Sequence, residues 1–231
     1  MNLQKFSHDL DSRIARFDLL SHPYYKTWSK GGLTRADLRE YSAEYYHHVS
    51  AFPTYLSAFH SRLEDGELRR QVLRNLADEE VEGRAHSDLW MDFATGMGNE
   101  KPNVRERKPM PAIQQLIDNF KQVAQTGTTV EVLATLYAYE SQVPAVATEK
   151  ARGLKEMYGA DVKTIGYFAL HAYADVRHSA VWREELEEYL ANHPEDSDAA
   201  LMAAERAAEW LWQALDGFEA NRSGRAKTAV A

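Results

Sequence analysis

Apolar residues recur every three or four positions along nearly the whole chain. Over residues 3–19 they fall at Leu3, Phe6, Leu10, Ile14 and Phe17, the spacing of one face of an α-helix. His22-Pro23 ends that segment, because the residue before a proline is pushed out of the helical region, and Gly31-Gly32 forms a turn. Thr34, with Asp37 three residues on, reads as a capping box with the shorter acid and opens a helix over about residues 34–63. Asp65-Gly66 turns the chain into a third helix over 67–93, and residues 96–109, rich in Gly, Asn and Pro, read as a loop. Further helices are predicted over 112–125, over 128–158 with Thr128 and Glu131 as its cap, and up to about residue 191 after Gly159-Ala160-Asp161. Asn192-His193-Pro194 precedes a last amphipathic helix over 196–220. Its stripe of Leu201, Ala204, Ala207, Leu211 and Leu215 suits core packing or a dimer seam, and a homodimer is expected. Residues 221–231 read as a flexible C-terminal tail. Strand-like alternation is hard to find, and neither repeats nor composition shifts divide the chain. The pattern predicts one all-α domain, 1–220, built as a bundle of seven to eight helices.

Composition narrows the chemistry. The 231 residues include no cysteine, which removes disulfides, zinc ribbons, iron–sulfur clusters and a thiol nucleophile together. With 35 acidic against 27 basic side chains the net charge is −8, the wrong balance for a nucleic-acid binder. No apolar run approaches the roughly 20 residues of a membrane helix, and Asp9 and Asp11 interrupt any signal-peptide core. A cytoplasmic protein is expected, its site built from carboxylates, nine histidines and 12 tyrosines.

Three segments carry candidate ligands. In His171-Ala-Tyr-Ala-Asp175-Val-Arg-His178, roughly 100° per residue places His171, Asp175 and His178 within about 60° of one another on a single helix face. Two imidazoles and a carboxylate on a rigid support are what iron or manganese requires; a polar face with incidental histidines is the alternative. Glu79 and His86 stand seven residues apart, two turns along the predicted third helix. Glu80 and Glu82 read as solvated charge. Glu140 sits in an apolar and aromatic run with Leu133, Leu136, Tyr137, Tyr139, Val143 and Val146. A carboxylate buried there must be salt-bridged, neutral or metal-bound. Pro144, four residues on, is expected to kink the helix at Glu140. Together the segments supply three carboxylates and three imidazoles from three helices, the way helical bundles build di-iron and di-manganese centres.

At these residues the chain resembles the haem-oxygenase-like dimetal oxidases and oxygenases, and within them the CADD-like p-aminobenzoate synthases (the group of the chlamydial death-domain-associating protein). The resemblance runs from His22-Pro23-Tyr24-Tyr25 to Trp182-Arg183-Glu184 and is most specific at Glu79-x₆-His86, Tyr139-Glu140-Ser141-Gln142 and His171-x₃-Asp175-x₂-His178. It implies a haem-oxygenase-like, or TenA/PqqC-like, bundle whose two metal ions, Fe/Fe or Mn/Fe, are held by Glu79, His86, Glu140, His171, Asp175 and His178. It implies O₂ and an external reductant as co-reactants. It further implies that p-aminobenzoate, a folate precursor, is cut from the protein's own tyrosine. Tyr25 corresponds to the sacrificed residue, Tyr41 and Tyr139 to redox-active tyrosines, and Lys150 to the amine donor. Lys150 lies ten residues beyond Glu140, placed by the pattern on the same helix. Ordinary core tyrosines, and a solvated Glu149–Lys150 pair, are the alternatives for these four. Tyr45, Tyr46, His47 and His48 follow Tyr41 and are candidate pocket residues.

The same fold carries other activities. TenA-type thiaminases use a cysteine, absent here. Haem oxygenases use a Gly-x-x-x-Gly helix, and no two glycines lie four apart. The PqqC-like oxidase of pyrroloquinoline quinone synthesis is cofactor-free and has no use for six such ligands. A dimetal oxidase acting on an external small molecule, and a non-catalytic protein-interaction module, remain as the other readings.

Overall fold

The computed structural model describes residues 2–230, with side chains placed through Arg225. Among them the chain forms eleven α-helices, two single 3₁₀ turns and no strand. The helices are α1 (Leu3–Ala15), α2 (Pro23–Ser29), α3 (Arg35–His60), α4 (Glu67–Glu80), α5 (His86–Gly96), α6 (Lys101–Glu106), α7 (Pro111–Thr126), α8 (Thr129–Glu140), α9 (Val143–Met157), α10 (Gly166–Asn192) and α11 (Ser197–Val230).

Both predicted capping boxes form. Asp37 N–H donates to Thr34 Oγ1 at 3.2 Å while the Asp37 carboxylate accepts Thr34 N–H at 2.8 Å. Thr128 and Glu131 do the same at 3.4 and 2.8 Å.

The count exceeds seven to eight because several predicted spans are interrupted. The span 67–93 breaks at 81–85: the amides of Val81 and Glu82 both donate to the Ala77 carbonyl at 2.8 Å, closing α4. Gly83 then takes a φ of +83°, which a side chain would resist. The span 128–158 breaks at Ser141-Gln142. Pro144 stands in the first turn of α9, where its missing N–H leaves no bond unmade, so it starts a helix instead of kinking one. Pro23 acts likewise: His22 caps α2, its Nδ1 accepting Tyr24 N–H at 3.0 Å. The expected loop at 96–109 contains α6, and α1 stops at Ala15, short of residue 19. Residues past 220 continue α11, because Arg225 pairs with Asp37 at 2.7 Å and with Glu40, and Asn221 bonds Glu40 at 2.8 Å. Of the expected tail, residue 231 and the side chains of 226–230 lie outside the described residues.

Three helices organise the interior. α3 packs on α4, α5 and α7; α10 packs on α5, α8 and α9; α11 packs on α1, α7 and α8. α8 is buried at every position from Val132 to Glu140, as a helix apolar all round must be. Leu201, Ala204, Ala207, Leu211 and Leu215 are buried within the chain itself, so the α11 stripe is core. No helix among the described residues is long and apolar enough to cross a membrane.

Candidate metal centre and lysine–tyrosine cluster

The six expected ligands come together, from four helices instead of three. Glu79 ends α4, His86 begins α5, Glu140 ends α8, and His171, Asp175 and His178 lie along one face of α10; all six are buried. Glu79 and His86 therefore meet across the α4–α5 break and not along one helix. The packing of α4 and α5 on α3 and α10 brings them to 2.8 Å, His86 Nδ1 to Glu79 Oε2. That contact is not aligned as a hydrogen bond, and His86 Nδ1 has no other partner. A carboxylate oxygen and an imidazole nitrogen brought this close in a buried site can serve as neighbouring ligands of one cation.

Glu79, His86 and His171 offer atoms that all lie within 4.8 Å of one another, and so do Glu79, Glu140 and His178. Glu79 belongs to both sets. Asp175 adjoins the second through its Oδ1, 3.2 Å from His178 Nδ1, while Glu140 Oε1 lies 3.6 Å from the same nitrogen.

Electrostatics point the same way. Burial raises Glu79, and burial beside Glu140 and Glu79 pushes Asp175 up to about 7. Burial drives His171 down to about 3, so its imidazole is neutral and can act as a ligand. His178 moves up: burial opposes its charge, but hydrogen bonds to Asp175, Glu140 and Asp78 outweigh it. Carboxylates crowded in a low-dielectric interior need positive charge, and oxygen with imidazole donors suits iron or manganese.

Outer partners hold these groups in place. His171 Nδ1 bonds the Tyr167 carbonyl at 2.8 Å, leaving Nε2 for the centre. Glu140 accepts from Asn75 Nδ2 at 3.1 Å and from the Trp182 indole N–H. His178 Nε2 lies 2.9 Å from Asp78 Oδ2. Such second partners fix tautomer and ring orientation at metal sites. None of these four was singled out from the sequence as a site residue. Tyr167 carries a readable signal, one turn before His171 on the same face; Asp78 is hidden in the run Asp78-Glu79-Glu80.

The second constellation is built around a buried amine. Lys150 is on α9, not on the helix of Glu140, and points inward, 5% exposed. Its Nζ lies 4.4 Å from the Tyr25 ring centre and 4.6 Å from that of Tyr41, and it donates to the Tyr41 hydroxyl. Tyr25 and Tyr41 hydroxyls are 2.8 Å apart. Trp28, Tyr45, Trp90 and Phe168 complete the cage. Burial holds the Lys150 amine well below the usual lysine range and the Tyr25 and Tyr41 phenols well above theirs. Burial thus favours the free amine and the intact phenols. Glu149 pairs with Arg152 at 2.5 Å, so the solvated Glu149–Lys150 pair does not form.

Tyr139 links the two regions. It contacts the hydroxyls of Tyr45 and Tyr167, and Tyr45 stacks on Tyr41 at 5.4 Å while Tyr167 stacks on His171 at 3.8 Å. Among the other candidates, His48 is fully buried beside Tyr139, with both ring nitrogens unpartnered and its pKa pushed down to about 3 by burial.

Known proteins resemble this chain in sequence and in fold. The family model described as "Iron-containing redox enzyme" matches residues 39–212. A 4-aminobenzoate synthase of Chlamydia muridarum is 40% identical, covering 92% of this chain and 89% of its own. A 4-aminobenzoate synthase of Nitrosomonas europaea is 37% identical, covering 96% and 94%. Among solved structures, a domain of unknown function with a haem oxygenase-like fold from Shewanella denitrificans superposes with a TM-score of 0.78 at 20% identity, over 96% of this chain and 93% of that one. The chain belongs to the iron-containing redox enzymes, a metal-dependent family that it joins with a haem-oxygenase-like helical fold.

Proposed function

We propose that this protein makes 4-aminobenzoate from its own Tyr25, with nitrogen from Lys150. The observation that carries the reading is the buried Lys150 amine held 4.4 Å from the Tyr25 ring. 4-Aminobenzoate is a six-membered ring bearing one carbon and, opposite it, a nitrogen. A tyrosine side chain already provides that ring, and its Cβ provides that carbon. What must change is the Cα–Cβ bond, the oxidation level of Cβ and the para oxygen, which nitrogen replaces. Breaking Cα–Cβ and raising Cβ to a carboxyl is net oxidation, with O₂ as the acceptor; exchanging the para oxygen for nitrogen is redox-neutral at the ring and breaks the Cε–Nζ bond of Lys150. The identities of 37–40% to 4-aminobenzoate synthases over most of the chain support the reading.

Glu79, His86, Glu140, His171, Asp175 and His178 would hold two ions, Fe/Fe or Mn/Fe, with Glu79 common to both. When bound, such ions supply one-electron chemistry with O₂, drawing on an external reductant. The chain's own residues do the rest. Tyr139 and Tyr41 occupy the interval between the ligands and Tyr25, so oxidation at one end can be felt at the other. Burial lowers Lys150 and so favours the deprotonated amine that a nucleophilic nitrogen requires. The aromatic cage excludes water from the ring that reacts.

An external substrate is less well served. The crevice that reaches His178 encloses about 60 Å³, against the roughly 300–1,000 Å³ of a typical small-molecule pocket. The test compares wild type with Tyr25→Phe and Lys150→Ala after exposure to metal, reductant and O₂. Both variants are expected to bind metal normally and to release no 4-aminobenzoate. Product from either one refutes the assignment.

A further inference from the structure

The two halves of the centre differ in how they meet solvent. Glu79, His86 and His171 lie deep: the His171 ring lies under Tyr167, and all three are at most 5% exposed. The other half opens onto the seam between α4 and α10. There a crevice of about 60 Å³ is lined by Gln71, Asn75, Asp78, Arg177, His178 and Trp182, among others. Side-chain exposure falls steadily inward along it, from 68% at Arg177 to 16% at Asp78 and 4% at His178. Asp78 is engaged on both sides, to Arg177 outside and to His178 Nε2 inside at 2.9 Å. Asn75 Oδ1, also buried in this wall, has no partner.

We propose that this crevice is the port through which metal ions enter and leave the centre, with Asp78 as its carboxylate and Arg177 as its latch. The inference rests on the two-metal reading above. About 60 Å³ holds some two water molecules, so a divalent ion passing through must shed most of its hydration shell. It sheds it more easily where oxygens replace the lost water. Asp78 and the free Asn75 Oδ1 are those oxygens: Asp78 directly precedes the ligand Glu79, and Asn75 holds the ligand Glu140 through its Nδ2 at 3.1 Å. Arg177 competes for Asp78: while the ion pair stands, Oδ2 is shared between Arg177 and His178 and the carboxylate's charge is already met when a cation arrives. The positive charge of Arg74, at the same rim, is met by Glu67 at 2.7 Å. Once an ion is seated, Asp78 keeps His178 in the tautomer and orientation that present Nδ1 to it.

The two residues therefore have opposite kinetic roles. The experiment uses metal-stripped full-length protein and Mn(II) alone, following loss of the free-ion electron paramagnetic resonance signal and, in reverse, release to a chelator. No turnover is needed. Wild type is expected to bind two ions, one exchanging faster than the other. Arg177→Gln should load and release that ion faster with stoichiometry unchanged. Asp78→Asn should lose on the order of 10–100-fold in affinity for one ion only, and Asp78→Glu should restore part of it. Gln71→Trp, which fills the crevice without touching Asp78, should slow uptake while leaving final occupancy intact. A port is refuted if Arg177→Gln and Gln71→Trp load at the wild-type rate, or if removing Arg177 slows loading as removing Asp78 does. If wild type itself takes up no Mn(II), the two-metal reading falls, and the port with it.

Discussion

Around Glu79 and Glu140 the protein buries three carboxylates and three imidazoles; around Lys150, in a cage that shares α5 and α10 with that centre, it buries an amine and several phenols. The first group is crowded with charge. Burial displaces Glu79 and Asp175 upward, His178 is held by three acids, and His86 Nδ1 is left without a hydrogen bond. The second group has no acid in contact with its amine, and burial alone favours its neutral form. The interior thus tolerates polar groups by two different means. In the centre an added cation balances the charge; in the cage burial disfavours the charge. The former site has to be filled to be comfortable, and the latter is ready as folded.

That contrast can be broken most severely at Glu79, the carboxylate common to both ligand sets. Glu79→Ala should abolish binding of both ions, read as metal per chain by elemental analysis, while the far-ultraviolet circular dichroism stays helical. Retention of a full complement would mean that the centre does not depend on a shared carboxylate. In wild type, saturating metal at about 100 times its Kd should stabilise the fold by about 2.7 kcal/mol, an increment that Glu79→Ala forgoes.

The cage responds to pH in a direction its charge state fixes. Burial lowers Lys150 in the folded chain, whereas unfolded lysine keeps its proton up to about 10.4. Between the lowered folded value and the ordinary one, only the unfolded chain holds that proton. Stability therefore rises with pH across that window, by at most about 1.4 kcal/mol per unit from this group. Lys150→Met, similar in shape and never charged, should remove that rise and be the more stable protein at neutral pH. Urea titrations of both proteins from pH 7 to 9 check this; parallel pH profiles would show that the amine is charged in the folded state.

The smallest expected effect separates the two regions. A Cβ at Gly153 would lie 2.9 Å from the indole ring of Trp28, a wall of the cage. Gly153→Ala should cost about 1–3 kcal/mol through overpacking between α9 and α2, with metal stoichiometry untouched. A change in metal content there would tie the cage to the centre more closely than the packing suggests.

The two regions were also unequally legible in the sequence. His171, Asp175 and His178 could be grouped from spacing alone, because a helix face follows from counting. So could both capping boxes, which are local. Glu79 and His86 met as expected for a different reason, since Gly83 ends the helix on which their seven-residue spacing was read. Asp78 could not be chosen among neighbouring acids, because only the docking of α10 decides which of them faces a histidine. Lys150 was found by family resemblance; its cage is assembled from α2, α3, α5, α9 and α10. No periodicity within one segment could reveal it. Helical spacing reports what one element presents, and tertiary packing decides what that face meets.

The central claim is that Tyr25 becomes the product. It is tested most directly by preparing the protein with ring-labelled tyrosine, supplying metal, reductant and O₂ with no other amine, and analysing both chain and small molecules by mass spectrometry. The account predicts labelled 4-aminobenzoate in an amount not exceeding one per chain, with the matching loss of mass located at Tyr25. Unlabelled product from an added compound, or many turnovers by a chain whose Tyr25 stays intact, would contradict it.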